Sequence, residues 1–284
     1  MKKYILGIAM LCAFSAFSQE NSEKGPKVSL TFDDTRIVNG HAIETNEKRQ
    51  MKFIIGHRFG QIDGGISEFY GLDQATMRLG FDYGINDWIT IGIGRSSFEK
   101  TIDGFFKAKL IAQRTGNGSP FSLTVLTAMA IKTIDFPNPE LENYFSSRLS
   151  YVQQVLLARK FSDRLSLQFM PTLLHLNLVA TSAESNDIIS FGGAAKYKVS
   201  KLVSLKTEYY FTLPGQLPDN RENSLSFGVD LKTKHHVFQM HFSTSRGMTE
   251  KFFIGETYNN ISPGKFMFGF NITRDFQVKG RKYK

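Results

Sequence analysis

Cysteine is almost missing from this 284-residue chain, and Cys12 is the only one. It sits in a short apolar run, Ile5 to Phe14, with Lys2 and Lys3 ahead of it and Ala16-Phe17-Ser18 behind. A basic start, a brief apolar stretch and small residues before the cut form an export signal, so residues 1–18 are expected to leave after Ser18. Leu11 rather than a small residue precedes Cys12, which argues against a lipoprotein signal. The mature chain then carries no cysteine at all. Disulfides, thiolate metal sites and a cysteine nucleophile are excluded together.

Long apolar runs are missing too. Beyond the signal no stretch reaches the roughly 18 residues that a transmembrane helix needs. A place in the membrane would therefore require a closed barrel, in which every backbone group is paired. Catalytic signatures are equally scarce. The sequence has no phosphate loop, HExxH, calcium loop or Ser-His-Asp motif, so neither an enzyme nor a cofactor or metal site is expected. Nor is there a concentrated basic run. The net charge of +9 falls to +7 once Lys2 and Lys3 are removed, and it is spread along the chain. Spread charge does not suit nucleic acid; the expected partners are outer-membrane lipid and an anionic solute.

Alternation with period two is what the chain does have. Phe266, Phe268, Phe270 and Ile272 share one face, while Met267, Gly269, Asn271 and Thr273 share the other. The same rhythm runs through Ile89–Ile93, Leu225–Leu231 and Phe238–Phe242, and helical spacing fits none of them. Twelve such segments are expected, near 50–60, 74–84, 87–97, 103–113, 119–132, 144–160, 163–178, 187–199, 202–212, 223–232, 235–244 and 264–275. Their connections alternate between short and long, and aromatics (Phe59, Tyr83, Trp88, Tyr144, Tyr197, Phe211) fall near their ends. Both features mark an all-β, antiparallel transmembrane barrel with short periplasmic turns and longer external loops. A soluble β-barrel binding a hydrophobic ligand shares the alternation but not the loop rhythm. Residues 19–49, polar and carrying Gly25-Pro26, read as a periplasmic N-terminal segment with one short strand over 37–43. The barrel follows over 50–276, and 277–284 form a basic tail. In 163–178 the apolar phase flips between Phe169 and Leu174, and a bulge at Pro171 is expected to repair it.

Part of the chain carries a likeness. His57-Arg58-Phe59-Gly60, Phe69-Tyr70-Gly71-Leu72-Asp73, Arg78 to Gly84 and Ile91 to Ser97 resemble an uncharacterised family of predicted Gram-negative outer-membrane β-barrel proteins, known only as a domain of unknown function. The resemblance implies a barrel in the cell outer membrane and no activity.

Parity places nine basic and three acidic groups on the inner face, with Arg58, Arg78, Asp82, Lys107, Lys109, Lys206 and Glu208 as its candidate lumen charges. An unbalanced basic lumen would favour anions, while each single charge is expected to pair across strands. Asp82 in particular is expected to pair with a basic neighbour, Arg58 or Arg78, and so fix register. Parity also turns His57 toward lipid at the outer rim. With Ser96 or Ser97 it is the one candidate for a lipid-modifying hydrolase. His235-His236 reads as a solvent-facing turn. A small anion-preferring pore, or a surface or scaffold barrel, is the function expected; the hydrolase and the soluble ligand carrier are the alternatives.

Overall fold

The computed structural model describes residues 25–136, 140, 142–182, 184–234, 236–262 and 264–278. The signal expected over 1–18, His235, and most of the tail expected over 277–284 lie outside these residues. Twelve strands follow one another: β1 (Gln50–Gln61), β2 (Ala75–Asn86), β3 (Ile89–Ser96), β4 (Ile102–Ile111), β5 (Ser122–Ile131) and β6 (Leu149–Lys160). They continue with β7 (Leu165–Leu176), β8 (Asp187–Lys198), β9 (Val203–Thr212), β10 (Leu225–Lys232), β11 (His236–Ser243) and β12 (Met267–Gln277). Each pairs antiparallel with its neighbours in the chain, and β1 pairs with β12 to close the barrel. Closure leaves no free strand edge.

The alternation in the sequence becomes two faces. Along β2, Met77, Leu79 and Phe81 point outward, while Thr76, Arg78 and Asp82 are buried inside. Outward apolar side chains recur on every part of the wall, from Ile91 and Phe106 to Leu173, Tyr197 and Phe238. So large an exposed apolar surface is stable in lipid, not in water. The end aromatics Phe59, Tyr83, Trp88, Tyr144, Tyr197 and Phe211 are all exposed or half-buried. Phe59 stacks on Phe268 at 5.7 Å, so neighbouring strands share aromatic contacts on this face.

Two expectations about the backbone are corrected. β7 has no bulge at Pro171: its register with β8 runs unbroken from Leu165↔Tyr197 to His175↔Asp187. Leu174 and Leu176 point into the barrel because apolar partners wait there. Those partners come from a six-residue helix, α1 (Glu250–Gly255), which the long β11–β12 connection folds back into the mouth. Phe253 and Ile254 of α1 join Leu174, Leu176, Ile188, Leu156 and Tyr210 in one buried cluster.

The second correction concerns the N-terminal segment. Its part over 31–46 does not stay in the periplasm but fills the lumen, with Phe32, Ile37, Ala42 and Ile43 completely buried in the same cluster. It is not a strand over 37–43 either. The chain enters beside the β4–β5 turn, where Val28 N donates to Gln113 O, climbs, reverses at 37–40 and returns. Arg36 and His41 form a bridge across the reversal, Ile37 N donates to Gly40 O, and Ala42 N to Thr35 O. The reversal is centred on Val38-Asn39, with Ile37 and Gly40 bonded across it and Arg36 opposite His41. On the way out, Asn46 N donates to Thr90 Oγ1 and Thr45 Oγ1 to Asp87 O, at the β2–β3 turn. Entry and exit therefore lie at the same, short-turn end.

Candidate functional site

The lumen and the hairpin that fills it form the site. At its tip, the Glu208 carboxylate on β9 accepts three backbone N–H groups, from Val38 (3.2 Å), Asn39 (2.7 Å) and Gly40 (3.1 Å). A turn presents successive N–H groups to one side, which makes a concave anion seat. The Asn39 amide donates to Ser226 Oγ (2.9 Å) and Ser243 Oγ (3.2 Å), and its oxygen accepts from Arg58 (2.7 Å). Gly40 is required here, because a methyl group would overlap the Tyr210 hydroxyl. Wall side chains satisfy the hairpin carbonyls in turn: Gln239 bonds Ile37 O, Gln168 bonds His41 O, Thr124 bonds Ile43 O and Asn271 bonds Val38 O. Buried backbone must be paired somewhere, and the wall's polar residues do that work without a shared strand ladder.

Charge follows the same plan. Lys52 reaches hairpin Asp34 at 2.6 Å, Lys109 reaches Glu44 at 3.4 Å, and Lys196 reaches Asp33 at 3.6 Å. Hairpin Arg36 meets Asp82 at 3.1 Å. Pairs within the wall are fewer: Lys206 with Asp230 at 2.5 Å, Lys52 with Asp275 at 2.8 Å, and Arg78 with Asp103. Burial opposes ionisation of Asp34, but Lys52 and Lys206, with hydrogen bonds from Lys52 and Thr273, together outweigh it and hold the carboxyl below its ordinary range. His41 is depressed well below its ordinary value, by burial first and then by Arg36, Lys107 and Arg78.

All seven candidate lumen charges lie on the inner face. Arg58, Arg78, Asp82, Lys107, Lys206 and Glu208 are buried, and Lys109 is half-buried. The partners differ from those expected. Asp82 pairs with hairpin Arg36, not with Arg58 or Arg78, because Arg78 lies sideways across the wall to β4. Its Nε donates to Asp103 Oδ1 at 2.9 Å. Gly80 and Gly94 clear that path; a Cβ on either would meet the Arg78 guanidinium. Lys107 Nζ is buried without a hydrogen-bond partner among the described residues. Sequence reasoning missed Asp103 and Asp275, although each shares the phase of a lysine or asparagine it had placed inside. It also missed the whole hairpin set. The basic excess of the wall is accordingly smaller than nine to three.

His57 faces outward between Phe59 (4.4 Å) and Phe270 (4.9 Å, parallel). Ser96 is buried on the opposite, inner face, and Ser97 Oγ accepts from Met77 N. No histidine–serine pair forms at the rim among the described residues, and the hydrolase reading loses its geometry.

The family described as a membrane bound beta barrel domain (DUF5777) matches residues 32–276, so the match begins inside the hairpin. No curated protein matches the chain. Among solved structures, the NanC porin is similar at 8% identity and a TM-score of 0.50, covering 80% of this chain and all of that one. The KdgM porin in complex with disordered oligogalacturonate follows at 9% and 0.49, covering 80% of this chain and 99% of its own. The COG4313 outer membrane channel from Pseudomonas putida F1 stands at 14% and 0.48, with 82% and 98% covered. At these identities the likeness speaks to fold alone, and the fold is that of outer-membrane barrels.

Proposed function

Because the chain belongs to the family of membrane-bound β-barrel domains, we propose that it is an outer-membrane channel held shut at rest by its own N-terminal hairpin, and that the open form passes small anions. One observation carries the reading: lysines of the wall find counter-ions on the hairpin. Undocking takes away Asp33, Asp34 and Glu44 against one cation, Arg36, and leaves Lys109 and Lys196 facing the lumen without them. A basic lining in a narrow aqueous path favours anions. The hairpin suits a gate. It is held by side chains and small bridges rather than a ladder, and both its ends leave at the same mouth. The protein acts without catalysis in this reading.

A permanently closed surface or scaffold barrel is the second reading, favoured by the apolar cluster that Phe32, Ile37 and Ile43 complete. Each such side chain contributes about 1.5–3 kcal/mol on burial, so opening is rare. Planar-bilayer recording separates the two. Mature wild-type protein is expected to be silent with brief openings. Glu208→Gln weakens charge-assisted bonds worth about 1.5–3 kcal/mol, which raises the open fraction roughly ten- to hundredfold. In a salt gradient the openings should prefer anions. A Glu208→Gln barrel that stays silent, or that prefers cations, overturns the proposal.

A further inference from the structure

A cavity of about 280 Å³ opens at the other end of the barrel, above α1. Its walls come from the long connections β5–β6, β7–β8, β9–β10 and β11–β12, so it faces away from the hairpin's entry. Leu176, Leu178, Val179, Ile188 and Pro218 supply its apolar lining. Two guanidiniums also line it. Arg148 lies 4.0 Å from the Phe136 ring centre, and Arg221 lies 3.9 Å from that of Tyr258. Stacking fixes a guanidinium plane and leaves its N–H edge free for a planar anion. Arg148 spends one nitrogen on the carbonyls of Lys132 and Ile134, and Arg221 gives one weak bond to Gly255 O at 3.5 Å. The Arg221 Nε is buried with no hydrogen-bond partner, and neither arginine has an ion-pair partner among the described residues.

The remaining charges narrow the ligand. Lys132 and Lys251 are both taken by Glu99, and Lys251 also by Glu256. Asp135 and Glu184 line the cavity as well. Among the described residues, four basic and four acidic groups give the cavity no surplus for a polyanion, and of its four cations the two stacked arginines lack carboxylate partners. The volume is at the low end for a ligand site. We propose that this cavity binds a small amphipathic monocarboxylate, its carboxylate on the stacked arginines, Arg148 or Arg221, and its aromatic or short aliphatic body against the apolar lining of Leu176, Leu178 and Ile188. The site is independent of whether the barrel conducts.

The test uses the full mature protein in lipid nanodiscs, with 2-naphthoate as the probe and empty nanodiscs as the blank. Calorimetry should show saturable 2-naphthoate binding. Arg148→Gln with Arg221→Gln should weaken it at least tenfold, as should replacing the probe by uncharged 2-naphthylmethanol. Leu178→Glu, at an exposed rim position, should weaken it similarly while heat-modifiable gel migration reports an intact barrel. Equal affinity in the double-arginine variant, no saturable binding, or tighter binding of galacturonate than of 2-naphthoate overturns the proposal.

Discussion

His41 carries the pH behaviour of the closed state. It is buried in the hairpin, edge-on to Phe105 at 4.5 Å, with Nε2 3.7 Å from Glu250 of α1. Burial and the cations around it keep its pKa well below 6.5, so it stays neutral when docked. The undocked hairpin takes up a proton as pH falls through about 6.5, and the closed state loses stability from there downward. Asp34 acts lower. Its folded pKa lies beneath 3.8, so its contribution is complete above that value and fades only as pH drops below it. His41→Gln separates these effects. Channel opening in the wild type should increase between pH 7 and pH 5 and stay flat over that window in the variant; an equal rise in both would assign the effect to another group. Asn271 shows how far a lumen residue's environment depends on the hairpin. Parity alone makes it a tolerant inner position, yet its amide bonds Val38 O and Gln239, so an arginine there would unseat the tip.

Among the elements, the long β11–β12 connection has the most consequence for topology. Its Glu250–Gly255 stretch turns inward, while Asn260 remains exposed. Asn259 is tied back to Thr244 and Gln61. A cysteine at Asn260 should react with an impermeant thiol reagent on whole cells, and one at Thr233, in the β10–β11 turn, should not; the reverse pattern would invert the barrel. Labelling is clean because Cys12 is the chain's only cysteine. The strands themselves were legible, since each needs only a period of two and a turn to be recognised. β7 was legible in extent but not in phase. Local periodicity takes Leu174 as a lipid residue displaced by a bulge, whereas the leucine answers to Phe253 and Ile254, some 80 residues away in the chain. The hairpin was misread for a related reason. A short polar segment without periodicity resembles a linker, and its burial is decided by wall residues such as Glu208 and Gln239. Asn39-Gly40, where the reversal ends, is a local turn signal within it.

At the scale of the whole molecule, two occluders meet inside one wall. The hairpin comes from the short-turn end and α1 from the other, and they touch through His41 and Glu250. The lumen charges were legible by parity; that they answer to a segment of the same chain was not, because counter-ions carry no periodic signature. That arrangement also has a temporal side. Asn39 and Ser243 are 204 positions apart, and Val38 and Asn271 are 233 apart. The hairpin precedes every strand, yet its seat does not exist until β9 to β12 have joined β1. Contacts of such separation form late, after the loop-closure cost of the wall has been met. The single tryptophan can time this, since Lys27 lies over Trp88 at 4.5 Å and Thr45 bonds the neighbouring Asp87. During refolding into vesicles the gel shift of barrel closure should come first, with a slower Trp88 fluorescence phase behind it. Gly40→Val should abolish only the second phase, and simultaneous phases would refute the order. Between the two events the protein is a finished wall around a wet, unsealed passage, so each newly inserted copy is a transient leak until its earliest residues settle.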